Sequence, residues 1–379
     1  MLREDSIEGL RRRARRRLPR MVFDFIDGGA ESETTLRRNC EALSRIALVP
    51  NCFRAVENRN LQVSILGRPA SMPVMVGPTG LAALVWPHAD QLLAQAAQRA
   101  GVPFVVSTSS SARLEDIAAA APSARLWMQV YPYRDRGLVE SLIARAAACN
   151  FEALVLTVDT PVLGHRSRDH ANRFSVPIRP TWHLFWDLIR CAPWTLGLVR
   201  HGVPRMRNFV DHGHGHKLES LAQLMTRNMN PGADWTDLTW LRKAWQGPLI
   251  LKGVLCAEGA RRAAREGVDA IVVSNHGGRQ LDGAPATITM LPEIVAAAGT
   301  ELEIYIDGGI RSGVDVARAV ASGARSAMIG RATLYGVAAA GAVGATHALE
   351  LLRTQLDRTL ALLGCPDVAA LSQIRTVRE

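Results

Sequence analysis

The sequence offers no cysteine pairing. Its six cysteines, Cys40, Cys52, Cys149, Cys191, Cys256 and Cys365, form no C-x-x-C pair, and none has a histidine at zinc-ligand spacing. That argues against a zinc-ribbon or dithiol motif, so no metal is expected, and it points to a reduced, cytoplasmic compartment. No run of about 18 apolar residues occurs, so no spanning helix is expected. Met1 to Leu10 is polar and charged, with no apolar core, so no signal peptide is expected. No G-x-G-x-x-G follows an apolar run, so a dinucleotide fold is not indicated. The dense basic run, Arg11, Arg12, Arg13, Arg15, Arg16 and Arg17, lacks interleaved aromatics and any nucleic-acid fold signature. It reads first as a solvated helix face, second as a membrane-surface patch and last as a nucleic-acid contact.

What is there is an ordinary globular composition: 379 residues, 48% hydrophobic and 21% charged, with a formal net charge of +10. The core can be large enough to need no disulfide. Length alone allows two or three domains, but α/β barrels run this long as one unit, and a single domain over 1–379 is expected. Eight apolar runs recur: Met72–Gly77, Val102–Thr108, Leu126–Tyr131, Ala153–Asp159, Pro248–Gly253, Ala270–Asn275, Glu303–Asp307 and Ser326–Gly330. They are continuous rather than alternating, as in strands buried on both faces. Amphipathic stretches such as Asp90–Ala100, Arg136–Cys149, Ala257–Glu266 and Gly313–Ala321 lie between them. Eight β-then-α units predict a (β/α)8 TIM barrel, an α/β fold, with a doubly wound sheet as the alternative.

One gap breaks the rhythm. The 88 residues between Asp159 and Pro248 far exceed a normal crossover, so a long excursion follows strand four. Within it, 180–217 reads as an inserted segment. Trp182, Phe185, Trp186, Trp194, Leu196 and Leu198 mix there with Arg190, Arg200, Arg205 and Arg207. That mixture suits a bilayer interface, and it suits equally a packed cover over the barrel mouth or a subunit contact. Asp211-His212-Gly213-His214-Gly215-His216 invites a metal reading, but glycine between the histidines sets no geometry, so a polar loop is expected.

In such a barrel the site forms at the C-terminal strand ends. Every one of these ends turns polar: Gly77-Pro78-Thr79-Gly80, Ser107–Ser111, Gln129-Val130-Tyr131, Thr157-Val158-Asp159, Lys252-Gly253, Ser274–Arg279, Asp307–Arg311 and Gly330-Arg331. A purely structural chain has no reason to do this eight times. Gly308-Gly309 and Gly330-Arg331, after strands seven and eight, predict a phosphate site, with Arg331 adding a bidentate charge. Ser107, Gln129, Thr157 and Lys252 suit the edge of a flavin ring. Lys252 could instead form a Schiff base with a carbonyl substrate. His276 and Asp159 can meet across the mouth as an oriented base, and Arg279 or Arg166 can clamp a carboxylate.

These residues resemble the FMN-dependent 2-hydroxy acid dehydrogenase and oxidase family, most closely its (S)-mandelate and bacterial L-lactate dehydrogenase branches. The resemblance runs from Leu18-Pro19-Arg20-Met21 to Gly364-Cys365-Pro366, and its most specific block is Ser274–Asp282, SNHGGRQLD. Lys252-Gly253, Thr157-Val158-Asp159 and Asp307-Gly308-Gly309 follow the family order. The resemblance implies bound FMN and oxidation of an (S)-2-hydroxy acid to the 2-keto acid. His276 would take the proton with Asp159 as partner, and Arg279 and Arg166 would bind the carboxylate. Tyr131 would hydrogen-bond near the reacting group, and Lys252 would sit by the flavin N1–C2 edge. Arg311 and Arg331 would hold the phosphate, and Pro78, Thr79, Gly80 and Ser274 would complete the cofactor site. It further implies a membrane quinone as acceptor, with O2 as alternative, and a homotetramer held peripherally on the cytoplasmic side of the inner membrane, otherwise cytoplasmic.

Three departures bear on the substrate. The family's usual Tyr is replaced by Phe25, which removes a hydroxyl from the substrate carboxylate. Ser109 stands where glycolate oxidase carries a bulky Trp, and Gly80 replaces an Ala of oxidases and lactate dehydrogenases. Both enlarge the pocket and favour a mandelate-like substrate, with lactate as the alternative. Two rival readings remain open: a non-redox isomerase on the same barrel, and a non-catalytic basic membrane- or nucleic-acid-binding protein.

Overall fold

Three helices precede the barrel: α1 (Ile7–Arg17), α2 (Arg20–Asp27) and α3 (Thr34–Ser44). The computed structural model describes residues 2–175, 182–210 and 221–379. Helix α1 shows why the arginine run folds as it does. Ile7, Leu10 and Ala14 repeat at helical spacing and are buried, while Arg12, Arg15 and Arg16 fall on the exposed face. The Ser6 hydroxyl accepts from the Gly9 N–H at 3.2 Å and caps the helix. The basic run is thus largely a solvated face.

The barrel strands are β1 (Val74–Val76), β2 (Phe104–Val106), β3 (Leu126–Val130), β4 (Ala153–Thr157), β5 (Leu249–Val254), β6 (Ala270–Val273), β7 (Glu303–Ile306) and β8 (Ser326–Ile329). All neighbours pair in parallel, and β8 pairs with β1 to close the ring. The expected eight runs are these strands, and the doubly wound alternative is excluded by the closure. Most strands stop one or two residues short of the expected ends, because Thr108, Tyr131, Asp159 and Asn275 have turned out of the ladder. The excursion, with α4 (Trp182–Arg190) and α5 (Ala192–His201), leaves after β4. Helix α6 (Arg331–Leu363) follows β8.

Met75, Val105, Trp127, Val155, Ile250, Val272, Tyr305 and Met328 fill the barrel interior. Ile65 and Ala70, from the hairpin pairing Val63–Ile65 with Arg68–Ala70, pack with them. That hairpin is tied to the strand starts: Arg125 donates to the Ile65 carbonyl at 2.7 Å, and the Leu66 N–H to Glu303 at 3.1 Å. The N-terminal end is plugged, so the opposite end is the one that opens. Register then places functional groups together: Thr157 sits beside Lys252 at the ends of β4 and β5.

Candidate active site

A cavity of about 1060 Å3 opens at the C-terminal strand ends and takes residues from all eight. Pro78, Thr79, Gly80, Ser107, Gln129, Tyr131, Thr157, Arg166, Lys252, His276, Arg279, Asp307, Gly308, Gly309, Arg311, Gly330 and Arg331 all line it. Asp159 and Ser274 do not; they stand behind residues that do.

The loop after β6 is unusual in its backbone. His276, Gly277 and Gly278 have φ of +57°, +64° and +74°. For a non-glycine such as His276 this region costs on the order of 1–3 kcal/mol and persists only where the surroundings impose it. Here they do. The His276 N–H donates to Ser274 Oγ at 3.0 Å and the Gly278 N–H to Asn275 Oδ1 at 3.1 Å. Asn275 is held in turn by Asn39 of α3 through reciprocal amide hydrogen bonds of 2.9 and 2.8 Å. A Cβ on Gly278 would lie 2.6 Å from the Leu36 nitrogen, so α3 packs on the loop where only glycine fits.

This curl brings His276 Nδ1 to 2.9 Å from Asp159 Oδ1. Burial alone would raise the Asp159 carboxyl, but His276 and Lys252 outweigh it and hold it at about 2. The group beside the imidazole is therefore a carboxylate, and its other oxygen, Oδ2, is buried without a partner among the described residues. Lys252 is buried, with Nζ 2.9 Å from Ser274 Oγ and 3.0 Å from Asp307 Oδ2. Burial lowers its pKa, yet Asp307 and Asp159 together raise it. The amine stays an ammonium, which is unsuited to the Schiff-base alternative. Burial, then Asp159, push the Tyr131 phenol up to about 12, so it is a neutral donor.

The two arginines expected to bind a carboxylate stand on an aromatic floor. The guanidinium carbons of Arg279 and Arg166 lie 5.4 and 5.8 Å from the Phe25 ring centroid, and Phe25 stacks on Phe174 at 4.5 Å. Arg279 donates to the Gly28 carbonyl at 2.9 Å, and Arg166 reaches Asp169 only at 3.7 Å, with its Nε buried and unpartnered among the described residues. Burial, then Arg166 and Arg331, push Arg279 well below the usual guanidinium range. Two cations so close and so thinly compensated form a seat for an anion.

The phosphate corner departs from expectation in one respect. Gly308 and Gly309 have φ of +92° and +84°, and a Cβ on Gly309 would lie 2.5 Å from the Asn39 carbonyl oxygen. Arg331, expected as a bidentate anion ligand, donates instead to the carbonyls of Ile26, Gly277 and Gly28 at 3.1, 2.9 and 2.7 Å. Burial has been met by backbone oxygens, so Arg331 contributes charge and its two remaining N–H groups. Ser274 is also corrected: its hydroxyl donates to Asp307 and accepts from Lys252 and His276, so it positions those groups from behind the cavity wall.

The corner fits a flavin nucleotide. Asp307 Oδ1 is buried and unpartnered among the described residues, Gln129 Nε2 donates to Thr157 Oγ1 at 3.1 Å, and glycine backbone lies beside two arginines. Sequence reasoning missed Phe174, Met225 and Asn39. Met225 Sδ is 3.7 Å from both Ser109 Oγ and Tyr133 Oη, and it comes from a part of the excursion with no chemical signature. The histidine-glycine run 211–216 lies outside the described residues. Among the described residues no group of three possible metal ligands forms.

The chain matches the model of the FMN-dependent dehydrogenase family over residues 14–378. It is 41% identical to the (S)-mandelate dehydrogenase of Pseudomonas putida, across 97% of this chain and 92% of that protein. It is 40% identical to an L-lactate dehydrogenase of Caulobacter vibrioides, across 97% of this chain and 96% of that protein. A crystal structure of the monotopic membrane protein (S)-mandelate dehydrogenase superposes with a TM-score of 0.94 at 39% identity, covering all of both chains.

Proposed function

We propose a substrate, an acceptor and a set of residue roles for this chain, which belongs to the FMN-dependent dehydrogenase family and oxidises 2-hydroxy acids with FMN. The substrate we infer is an (S)-2-hydroxy acid with an aryl side chain, of the mandelate type.

The observation that carries this reading is the small size of two neighbouring wall residues. Gly80 and Ser109 both line the cavity, and they lie so close that a Cβ on Gly80 would be 3.0 Å from the Ser109 Cβ, so neither projects bulk into it. Met225, Phe25 and Phe174 add adaptable apolar wall nearby. The substrate carboxylate binds Arg166 and Arg279, whose charges are offset by only the 3.7 Å contact of Arg166 with Asp169. The imidazole of His276 takes a proton from the substrate, and Asp159 holds the ring and stabilises its protonated form. Tyr131, a neutral phenol, donates to substrate oxygen. Lys252, fixed by Asp307 and Ser274, keeps positive charge at the cofactor edge. Bound FMN supplies the two-electron acceptor for this oxidation. The non-redox isomerase alternative would have no use for the His276, Asp159 and Arg279 set.

A membrane quinone is the acceptor we infer, with the enzyme held peripherally on the inner membrane, because the excursion exposes apolar side chains among arginines. A homotetramer is expected on family resemblance. Anaerobic stopped-flow reduction of the bound flavin by (S)-mandelate and by L-lactate tests the substrate. Faster reduction by mandelate supports the reading, and equal or faster reduction by lactate overturns it. Reoxidation by a soluble ubiquinone analogue should outpace reoxidation by O2; the reverse order would make the protein an oxidase.

A further inference from the structure

A second cavity lies across the segment that follows β1. Residues 77–81 of that segment line the flavin cavity, and residues 83–88 line the second one, of about 670 Å3. Its other walls come from the end of α1, the loop after β2 and the excursion. Arg17, Arg113, Arg205, Arg207, His88 and His201 face it, against the carboxylates of Asp90 and Asp116. Asp90 is buried and already accepts from the Ser111 N–H at 3.2 Å. The arginines leave the cavity net positive.

Arg17 is the informative member. Its guanidinium lies 3.8 Å from the Trp86 ring centroid, and its Nε is buried with no partner among the described residues. Burial, and the neighbouring Arg13, lower its pKa. A half-buried guanidinium without a carboxylate partner favours the approach of an anion.

The excursion meets this cavity in a fixed pose. The Trp194 indole is buried and donates to the Leu84 carbonyl at 2.7 Å, the Arg207 N–H donates to the Ser110 carbonyl at 3.2 Å, and the Arg20 N–H donates to Asp187 at 2.7 Å. From that anchorage α4 presents Trp186 and Ile189, 57% and 56% exposed, and α5 presents Leu196 and Val199, 68% and 78% exposed. Each pair is spaced i, i+3, so each forms one helix face. An apolar ridge beside a cationic hollow matches a membrane interface, where side chains enter the acyl boundary at the level of the phosphates.

We propose that the second cavity seats the phosphate of an anionic phospholipid while the Trp186–Val199 ridge enters the same leaflet. This rests on the peripheral-membrane reading and extends it beyond the excursion, to Arg17 of α1 and His88 of the β1 loop. Because the two cavities share the 77–88 segment, a lipid seated there holds the flavin side of the barrel against the leaflet in which a quinone dissolves.

The test uses the full-length, FMN-loaded protein and vesicles of phosphatidylcholine, with or without phosphatidylglycerol, at about 0.1 M salt, where exposed charges are screened beyond about 10 Å. The wild type should sediment more strongly with the phosphatidylglycerol vesicles. The double variant Arg17→Gln/Arg205→Gln should bind them about thirtyfold more weakly, with binding to phosphatidylcholine and the flavin spectrum unchanged. Should it fail to retain FMN, Arg205→Gln/Arg207→Gln, at two exposed positions, takes its place. A control pair on the exposed face of α1, Arg12→Gln/Arg15→Gln, should lose much less. An equal loss in the control would reduce the effect to bulk charge and overturn the seat. Tryptophan fluorescence that saturates with inorganic phosphate, without a preference for anionic vesicles, would assign the cavity to a soluble phosphate and overturn it too. Anionic binding indifferent to the cavity arginines refutes the seat alone, whereas a wild type that sediments with neither vesicle refutes membrane attachment itself.

Discussion

At the scale of single residues, the account rests on charges that burial would ordinarily suppress. Asp159 is held at about 2, below the roughly 3.9 of an unstructured Asp. A depressed carboxyl contributes stability above its unfolded pKa and loses it as pH falls through the folded value. The difference in urea midpoint between wild type and Asp159→Asn should therefore shrink as pH drops from about 4 towards 2. A gap that stays constant across that window would mean that the charge on Asp159 contributes nothing to folding. Phe25 offers a second residue-level test. Phe25→Tyr adds a hydroxyl to the ring that lies beside Arg166 and Arg279. A hydrogen bond to a charged group is worth roughly 1.5–3 kcal/mol, so KM for the hydroxy acid should fall about tenfold or more. An unchanged KM would mean that the Phe25–Phe174 stack keeps the ring away from the carboxylate.

At the scale of elements, α3 matters more than its distance in sequence suggests. It supplies Asn39, which locks Asn275 and crowds Gly309, and Leu36, which crowds Gly278. Gly309→Ala puts a Cβ into the Asn39 carbonyl at a φ that disfavours any side chain. It should destabilise by more than about 1 kcal/mol and weaken FMN retention. Thermal unfolding with and without added FMN measures both, and an unaltered Tm with full flavin would refute the packing. The eight strands were legible because continuous apolar runs such as Ala270–Val273 admit few other readings. Their ends were less so, since Asn275 and Asp159 continue the run in sequence but leave the ladder to reach the site. The residues at strand ends were legible as a set through position alone. Phe174, Met225 and Asn39 were not, because each arrives from an element whose pattern says only that it packs. Arg331 lines the cavity, but sequence cannot reveal three carbonyls competing for its donors.

At the scale of the whole molecule, the barrel separates its two jobs. The plugged N-terminal end and the interior around Trp127 and Tyr305 hold the ring closed, and the open end carries the chemistry. The excursion completes the wall of the open end with Arg166, Phe174 and Met225, and it adds a third surface. Leu196→Glu with Val199→Glu changes two exposed side chains, so the fold should be affected by only about ±0.5 kcal/mol. The variant should move from the membrane to the soluble fraction and still reduce its flavin at nearly the wild-type rate. A variant that remains membrane-bound would remove the α4–α5 ridge from the attachment.

The central claim is that His276, oriented by Asp159, removes a proton from a 2-hydroxy acid held by Arg166 and Arg279. Anaerobic addition of (S)-mandelate to the yellow wild type and to His276→Gln, side by side, tests it most directly. The wild type should bleach, and His276→Gln should keep its FMN yet bleach slower by about 10²–10⁴-fold, the usual worth of a general base. Bleaching at the wild-type rate in His276→Gln would contradict the account.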